Sequence, residues 1–239
     1  MSESSGTPAG GLFPRTRWTL IRSAQEDPAA RANALKELLA VYWRPLYVFV
    51  RRKGLSPEET EDAVQELVVL LLERDFLQRL DPERGKLRSF LMTAASNHLA
   101  NRYEKASAAK RGSGIAAVPI DAPGIESKLA EHPADAERAF QQEWAATLLE
   151  RALARLKAEF AAGERKGPFE VVAQYFGTDD PPPYRDTAAK HKMTVPGLKA
   201  FLHRARLRFR ELVKEEIAET VGDPAQAEEE LAELLRGLG

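Results

Sequence analysis

The chain has 239 residues with 35 Lys/Arg against 36 Asp/Glu, so any preference for a charged partner must come from local segregation of charge. It contains no cysteine, which excludes disulfides, thiolate metal sites and a thiol nucleophile and accords with a reducing cytosol. The start, MSESSGTPAGGLFPR, lacks a basic segment followed by an apolar run, and the apolar run Leu67 to Leu72 is far too short to span a bilayer, so the expectation is a soluble, cytoplasmic protein with no membrane contact.

Residues 1–15 are rich in Ser, Gly and Pro and are expected to be disordered. A short helix through Trp18, Leu20 and Ile21 ends near Asp27-Pro28. Asp27 then caps a longer helix with Pro28 at its first position, carrying Leu35, Leu38, Leu39, Tyr42, Trp43, Leu46 and Val50. Pro45 is a point for a kink, and Gly54 a natural stop. Ser56-Pro57-Glu58-Glu59 opens the next helix, with Ser56 as cap and Glu59 at the capping-box position. Val64, Leu67, Val68, Leu71, Leu72 and Phe76 form its apolar stripe, with Val69 and Leu70 off it. The run LVVLLL alone fits a buried strand, but its length, flanks and cap favour helix. From Glu58 to Asp75 seven acids face one base, Arg74. That face is either ordinary solvated surface, with acids well placed near a helix N-terminus, or a docking surface for a basic partner.

After a turn at Asp81–Lys86, a helix follows with Leu87, Phe90, Leu91, Ala94, Ala95, Leu99 and Tyr103 at apolar positions. Its polar positions include Arg88, Asn97, His98, Asn101, Arg102 and Lys105. Amides and cations beside aromatics suit a nucleic acid, through phosphate neutralisation, base-edge hydrogen bonds and stacking. Residues 112–135 lack periodicity and read as a flexible linker. A long helix from Asp135 to Phe160 carries Phe140, Trp144, Leu148, Leu149, Leu153, Leu156 and Phe160, and Gly163 ends it. Pro168 to Phe176 is a shorter helix, and a Pro-rich loop leads into Tyr184.

From Tyr184 to Lys214 nine Lys/Arg face two acids, Asp186 and Glu211. A short helix, a turn and a longer helix are expected there, Thr194 capping the second with Pro196 in its first turn. Val195, Leu198, Phe201, Leu202, Ala205, Phe209 and Leu212 share one face; Lys199, His203, Arg204, Arg206, Arg208 and Arg210 fill the rest. A core-facing stripe opposite a dense cationic face suits helix-turn-helix binding of DNA. The tail continues to Val221, breaks at Gly222-Asp223-Pro224 and ends in an acidic amphipathic helix. The fold class is all-α. Two small helical domains, 16–111 and 136–221, are joined by the flexible linker 112–135; the second is a helix-turn-helix, and 222–239 form an acidic helical extension. His98, His132, His191 and His203 stand in separate segments, no Gly-rich phosphate loop is present and no carboxylates are paired. No catalysis, metal site or cofactor is expected.

SPEETEDAVQELVVLLLERDF with DPERGKLRSFLMTAASNHLANRYEK, followed by TLLERALARL with YRDTAAKHKMTVPGLKAFLHRARLRFREL, resembles a bacterial RNA polymerase sigma factor of the extracytoplasmic-function (ECF) type, sigma-70 family, over roughly residues 16–221. The resemblance implies core RNA polymerase as partner, through its β′ clamp helices and β flap, together with promoter DNA. Asp62, Gln65, Glu66 and Glu73 match the docking positions of the family's acidic helix. The following helix matches the part that contacts the −10 element, with Arg88, Asn97, His98, Asn101, Arg102 and Lys105 as candidates. The C-terminal part resembles the −35 reader, with Lys199, His203 and Arg204 as base or phosphate contacts and Arg206 and Arg208 on phosphates. The helix from Ser96 to Lys105 is less arginine-rich than the family pattern. Lys192 stands where the family's turn has Gly, a left-handed position that costs a side chain about 1 kcal/mol. Gly197 lowers helix stability by about 1 kcal/mol relative to Ala.

Restraint by an anti-sigma factor, restraint by the acidic tail folding onto the cationic helix, and phosphorylation of Thr60 in the acidic helix by a Ser/Thr kinase, which would strengthen docking on a basic partner, are three further expectations. A stand-alone helix-turn-helix regulator and a helical interaction module are the alternatives. The acidic helix separates them from the first reading, since a simple repressor has no use for it.

Overall fold

Asp27 opens the first helix as its spacing requires: its Oδ1 accepts the Ala29 N–H at 2.8 Å, and Pro28 takes the first position, where no N–H is needed. This helix, α1 (Pro28–Arg51), runs unbroken through Pro45, and Gly54 follows it at φ 92°. The computed structural model describes residues 25–72, 86–112, 133–164, 167–178, 180–220 and 230–232, all helix or connecting turn with no strand among them. The expectations for 1–15, the helix through Trp18, Glu73, the 81–85 turn, nearly all of the 112–135 linker and, apart from 230–232, the extension 222–239 lie outside the described residues.

The capping box forms as read. Ser56 Oγ accepts the Glu59 N–H at 3.2 Å, and Glu59 Oε2 accepts the Ser56 N–H at 2.9 Å, which opens α2 (Pro57–Leu72). The Ser56 N–H first, then the Ser56 hydroxyl, holds the Glu59 carboxyl below its usual pKa. The third helix, α3 (Leu87–Gly112), buries Leu87, Leu91, Ala95 and Leu99.

The longest helix, α4 (Pro133–Ala161), spans about 43 Å at 1.5 Å per residue and serves both halves of the chain. Its first half packs on α1, where Phe140 stacks on Tyr42 (centroids 6.5 Å) and meets Phe49 edge-on at 6.2 Å. Replacing the fully buried Phe140 by Ala is worth about 3–5 kcal/mol on transfer and cavity grounds. Its second half packs on the C-terminal helices through Leu156 and Phe160. Gly163, in the left-handed region at φ 77°, closes it with the paired Glu164 N–H to Glu159 O and Gly163 N–H to Phe160 O bonds of a Schellman turn. The boundary drawn at 136 thus falls inside a helix whose two halves are buried by different parts of the chain.

Two short helices, α5 (Phe169–Tyr175) and α6 (Tyr184–Lys190), lead to the 24-residue α7 (Val195–Ala218), and residues 230–232 are again helical. Tyr175 stacks on Tyr184, donates its hydroxyl to Pro182 O and lies in hydrogen-bond contact with the Thr187 hydroxyl, each at 2.9 Å, which ties the Pro-rich loop to α6. Buried side chains from Ala34 to Leu231 form one connected cluster.

Candidate functional site

The exposed face of α2 is acidic with an apolar centre. Asp62, Gln65 and Glu66 all stand in solvent, and Val69 is 59% exposed and Leu70 38%. At about 100° per residue, Asp62, Glu66 and Val69 fall on one stripe. A large aliphatic side chain left in water among carboxylates is the composition of a contact surface for a partner with apolar and basic groups. Thr60, on the opposite side, is fully buried and donates its hydroxyl to Ser56 O at 2.7 Å. That corrects the phosphorylation reading: the folded chain offers no accessible hydroxyl at Thr60.

The six α3 candidates part company. Asn97, Asn101 and Lys105 form an exposed i, i+4, i+8 row. His98 and Arg102 turn toward α2, where Glu66 receives both: its carboxylate lies 3.3 Å from His98 Nε2 and 2.6 Å from Arg102 Nη1. Burial first, then Arg102 and Lys105, push the His98 pKa below its usual value, with Glu66 opposing. Glu66, placed by sequence in the docking set, therefore neutralises part of the nucleic-acid set. Arg88 is the larger correction. It is only 7% exposed, stacks over the Trp144 ring at 4.7 Å and pairs with Glu230. A residue two positions into a helix reads as polar surface until the tail covers it.

The turn before α7 is built on the residue that departs from the family pattern. Lys192 sits at φ 53°, and the Lys192 N–H to Ala189 O and Met193 N–H to Ala188 O bonds close a Schellman turn around it. Thr194 Oγ1 accepts the Gly197 N–H at 3.1 Å. A Cβ at Gly197 would stand 2.9 Å from that oxygen, so the glycine that weakens the helix on propensity makes room for its cap.

On α7, Lys199, His203, Arg206 and Arg210 lie within about a sixth of a helical turn of one another and are exposed, with the half-exposed Leu207 beside them; Arg204, also exposed, lies about a third of a turn away. Arg210 belongs with the site, and its four-residue spacing from Arg206 is the signal that places it there. Lys199 Nζ lies 5.3 Å from the Tyr184 ring centre, and the Arg206 guanidinium 5.9 Å from that of Phe176, contacts that orient two long side chains at low entropic cost. Arg208 points the other way. It forks onto Glu159 of α4 (2.6–3.1 Å) and reaches Glu211 and Glu215, and those carboxylates, Glu159 foremost, raise its pKa against the effect of burial. Its assignment to phosphate is corrected to a structural one. Nearby, Glu216, 1% exposed, takes Arg151 at 2.8 Å and Arg155 at 3.0 Å; burial opposes the Arg155 charge, but Glu216 and Glu215 outweigh it.

Leu149, Leu153, Tyr175, Phe176 and Phe209 line an open apolar groove of about 410 Å³ below this stripe, with Arg206 and Glu150 at its edge. Among the described residues no three His, Asp or Glu are grouped to hold a metal ion, and no helix is long and apolar enough to cross a membrane. No protein-family model matches the chain, and neither a curated protein nor a solved structure does.

Proposed function

We propose that the chain is an ECF-type sigma factor, a promoter-specificity subunit that acts in the cytoplasm on core RNA polymerase. The observation that carries this reading is the apolar centre of the acidic α2 face, Val69 and Leu70 exposed beside Asp62, Gln65 and Glu66. It lies apart from the cationic stripe of α7, so one surface is fitted to a protein and another to a polyanion. A repressor acting alone has work for the second surface only. In this reading α2 meets the β′ clamp helices, and the apolar groove beside Arg206 offers the β flap a surface. Asn97, Asn101 and Lys105 face the −10 element. The α6–α7 pair is a helix-turn-helix whose Lys199, His203, Arg204, Arg206 and Arg210 approach the −35 element. The halves carrying α2–α3 and α6–α7 act as two domains, with α4 between them.

Co-purification of the full chain with core RNA polymerase tests the proposal. Wild type is retained, and Val69→Glu, which places a charge in the centre of the face without touching the core, lowers retention at least tenfold. Absence of wild-type binding to core would overturn the reading.

A further inference from the structure

Two carboxylates are almost completely buried in the described structure. Glu216 has its partners in the same half of the chain. Glu230, in the C-terminal extension, crosses to the other half: its Oε1 lies 2.5 Å from Lys86 Nζ, and its Oε2 accepts from Arg88 Nη1. The Arg88 guanidinium in turn lies on the face of Trp144, itself 2% exposed. Leu231 follows, 3% exposed and part of the core cluster. The start of α3 and the tail thus meet at one oxyanion, and the middle of α4 backs the guanidinium that holds it. Of the tail, Glu230 and Leu231 are seated against the start of α3 and the core, not on the cationic stripe of α7.

We propose that Lys86, Arg88 and Trp144 form an anion seat for nucleic-acid phosphate, which the chain's own Glu230 occupies at rest, so that the C-terminal extension is an intramolecular competitor of DNA. A guanidinium fork and an ammonium accept a carboxylate and a phosphate by the same geometry, charge-assisted hydrogen bonds to two oxygens. The seat is reachable: the Lys86 side chain is 35% exposed, so an oxyanion approaching the start of α3 meets it before the tail has left. Binding there exchanges one intramolecular carboxylate for a phosphate and releases Arg88 from the interior. The inference rests on the nucleic-acid reading above and adds to it the regulation of one contact.

The test uses the full chain, without polymerase, and a fluorescent double-stranded oligonucleotide of random sequence, with anisotropy read between 50 and 200 mM salt. Glu230→Gln removes the competing charge; Leu231→Ala loosens the tail while leaving the charge in place. Both are expected to bind several-fold more tightly than wild type, with a salt slope steeper by about one to two phosphate contacts, each worth about 0.9 in the slope. The gain disappears in Glu230→Gln/Arg88→Gln. Wild-type affinity and slope in both single variants, with the cooperative melt retained, would overturn the proposal, as would a gain that survives the Arg88 change, since net charge alone would then explain it. Should Glu230→Gln fail to fold, Leu231→Ala decides. Tighter binding by variants of a chain that core polymerase does not retain would sink the sigma reading and leave the seat standing. Retention without any gain in the variants would do the reverse.

Discussion

Glu216 offers the sharpest test of how the cationic helix is held. Its carboxylate is 1% exposed and bridges Arg151 and Arg155 of α4, whose side chains are 33% and 36% exposed. Glu216→Gln keeps the volume and removes the charge, leaving two partly desolvated guanidinium groups facing a neutral amide. Breaking a fully buried pair costs about 3–5 kcal/mol. Here both cations keep some hydration and Arg155 keeps Glu215, so about 2–3 kcal/mol is the working figure, discounted on those grounds. For a chain of this size about 1 kcal/mol moves the melting midpoint by about 2–4 °C, giving a fall of roughly 4–12 °C. Circular dichroism melts measure it directly. Glu215→Gln, at a carboxylate 35% exposed, is the control and costs less than about 1 kcal/mol. Raising the salt from 0.1 to 1 M shortens the screening length from about 10 to about 3 Å, which weakens exposed pairs and leaves the buried bridge largely intact. A Glu216→Gln midpoint within about 1 °C of wild type, or a deficit that vanishes at 1 M salt, would refute the assignment of this bridge as a buried clamp between α4 and α7.

Two further outcomes follow from local geometry. Lys192→Gly relieves a left-handed side chain at φ 53°, worth about 1 kcal/mol, but adds about 0.4–1 kcal/mol of unfolded-chain entropy, so a net stabilisation of at most about 0.6 kcal/mol and a midpoint unchanged or raised by a degree or two are expected; a lower midpoint would show that the Lys192 side chain contributes a contact larger than its strain. The pKa of His98 is lowered in the folded chain, so its unfolded form binds protons more readily: stability from this group is complete above about pH 6.5 and falls as the pH drops below that value. Melting midpoints at pH 7.5 and 5.5 should therefore drop less in His98→Gln than in wild type, and equal drops would place His98 outside the acid response.

Among the described residues, the sequence by itself determined where the helices lie and how several of them are capped, because those signals act over a few residues. Asp27 reaches Ala29, Ser56 and Glu59 cap each other, Thr194 reaches Gly197, and Gly163 and Lys192 close turns within five or six positions. Apolar spacing likewise assigned Leu67, Leu91, Leu156 and Leu202 to the core, since burial of a helix face follows its period. Only the tertiary structure decided which polar side chains remain free to meet a partner. Arg88 lies 142 positions from Glu230, and Arg208 lies 49 from Glu159. Glu66 is drawn to His98 and Arg102 of the neighbouring helix. Periodicity shows that a residue faces away from its own helix's core. It carries no information on whether another helix, or a tail, arrives there with the opposite charge. The same distinction accounts for α4, whose stripe reads as one helix of the C-terminal half, although its first turns are buried by α1.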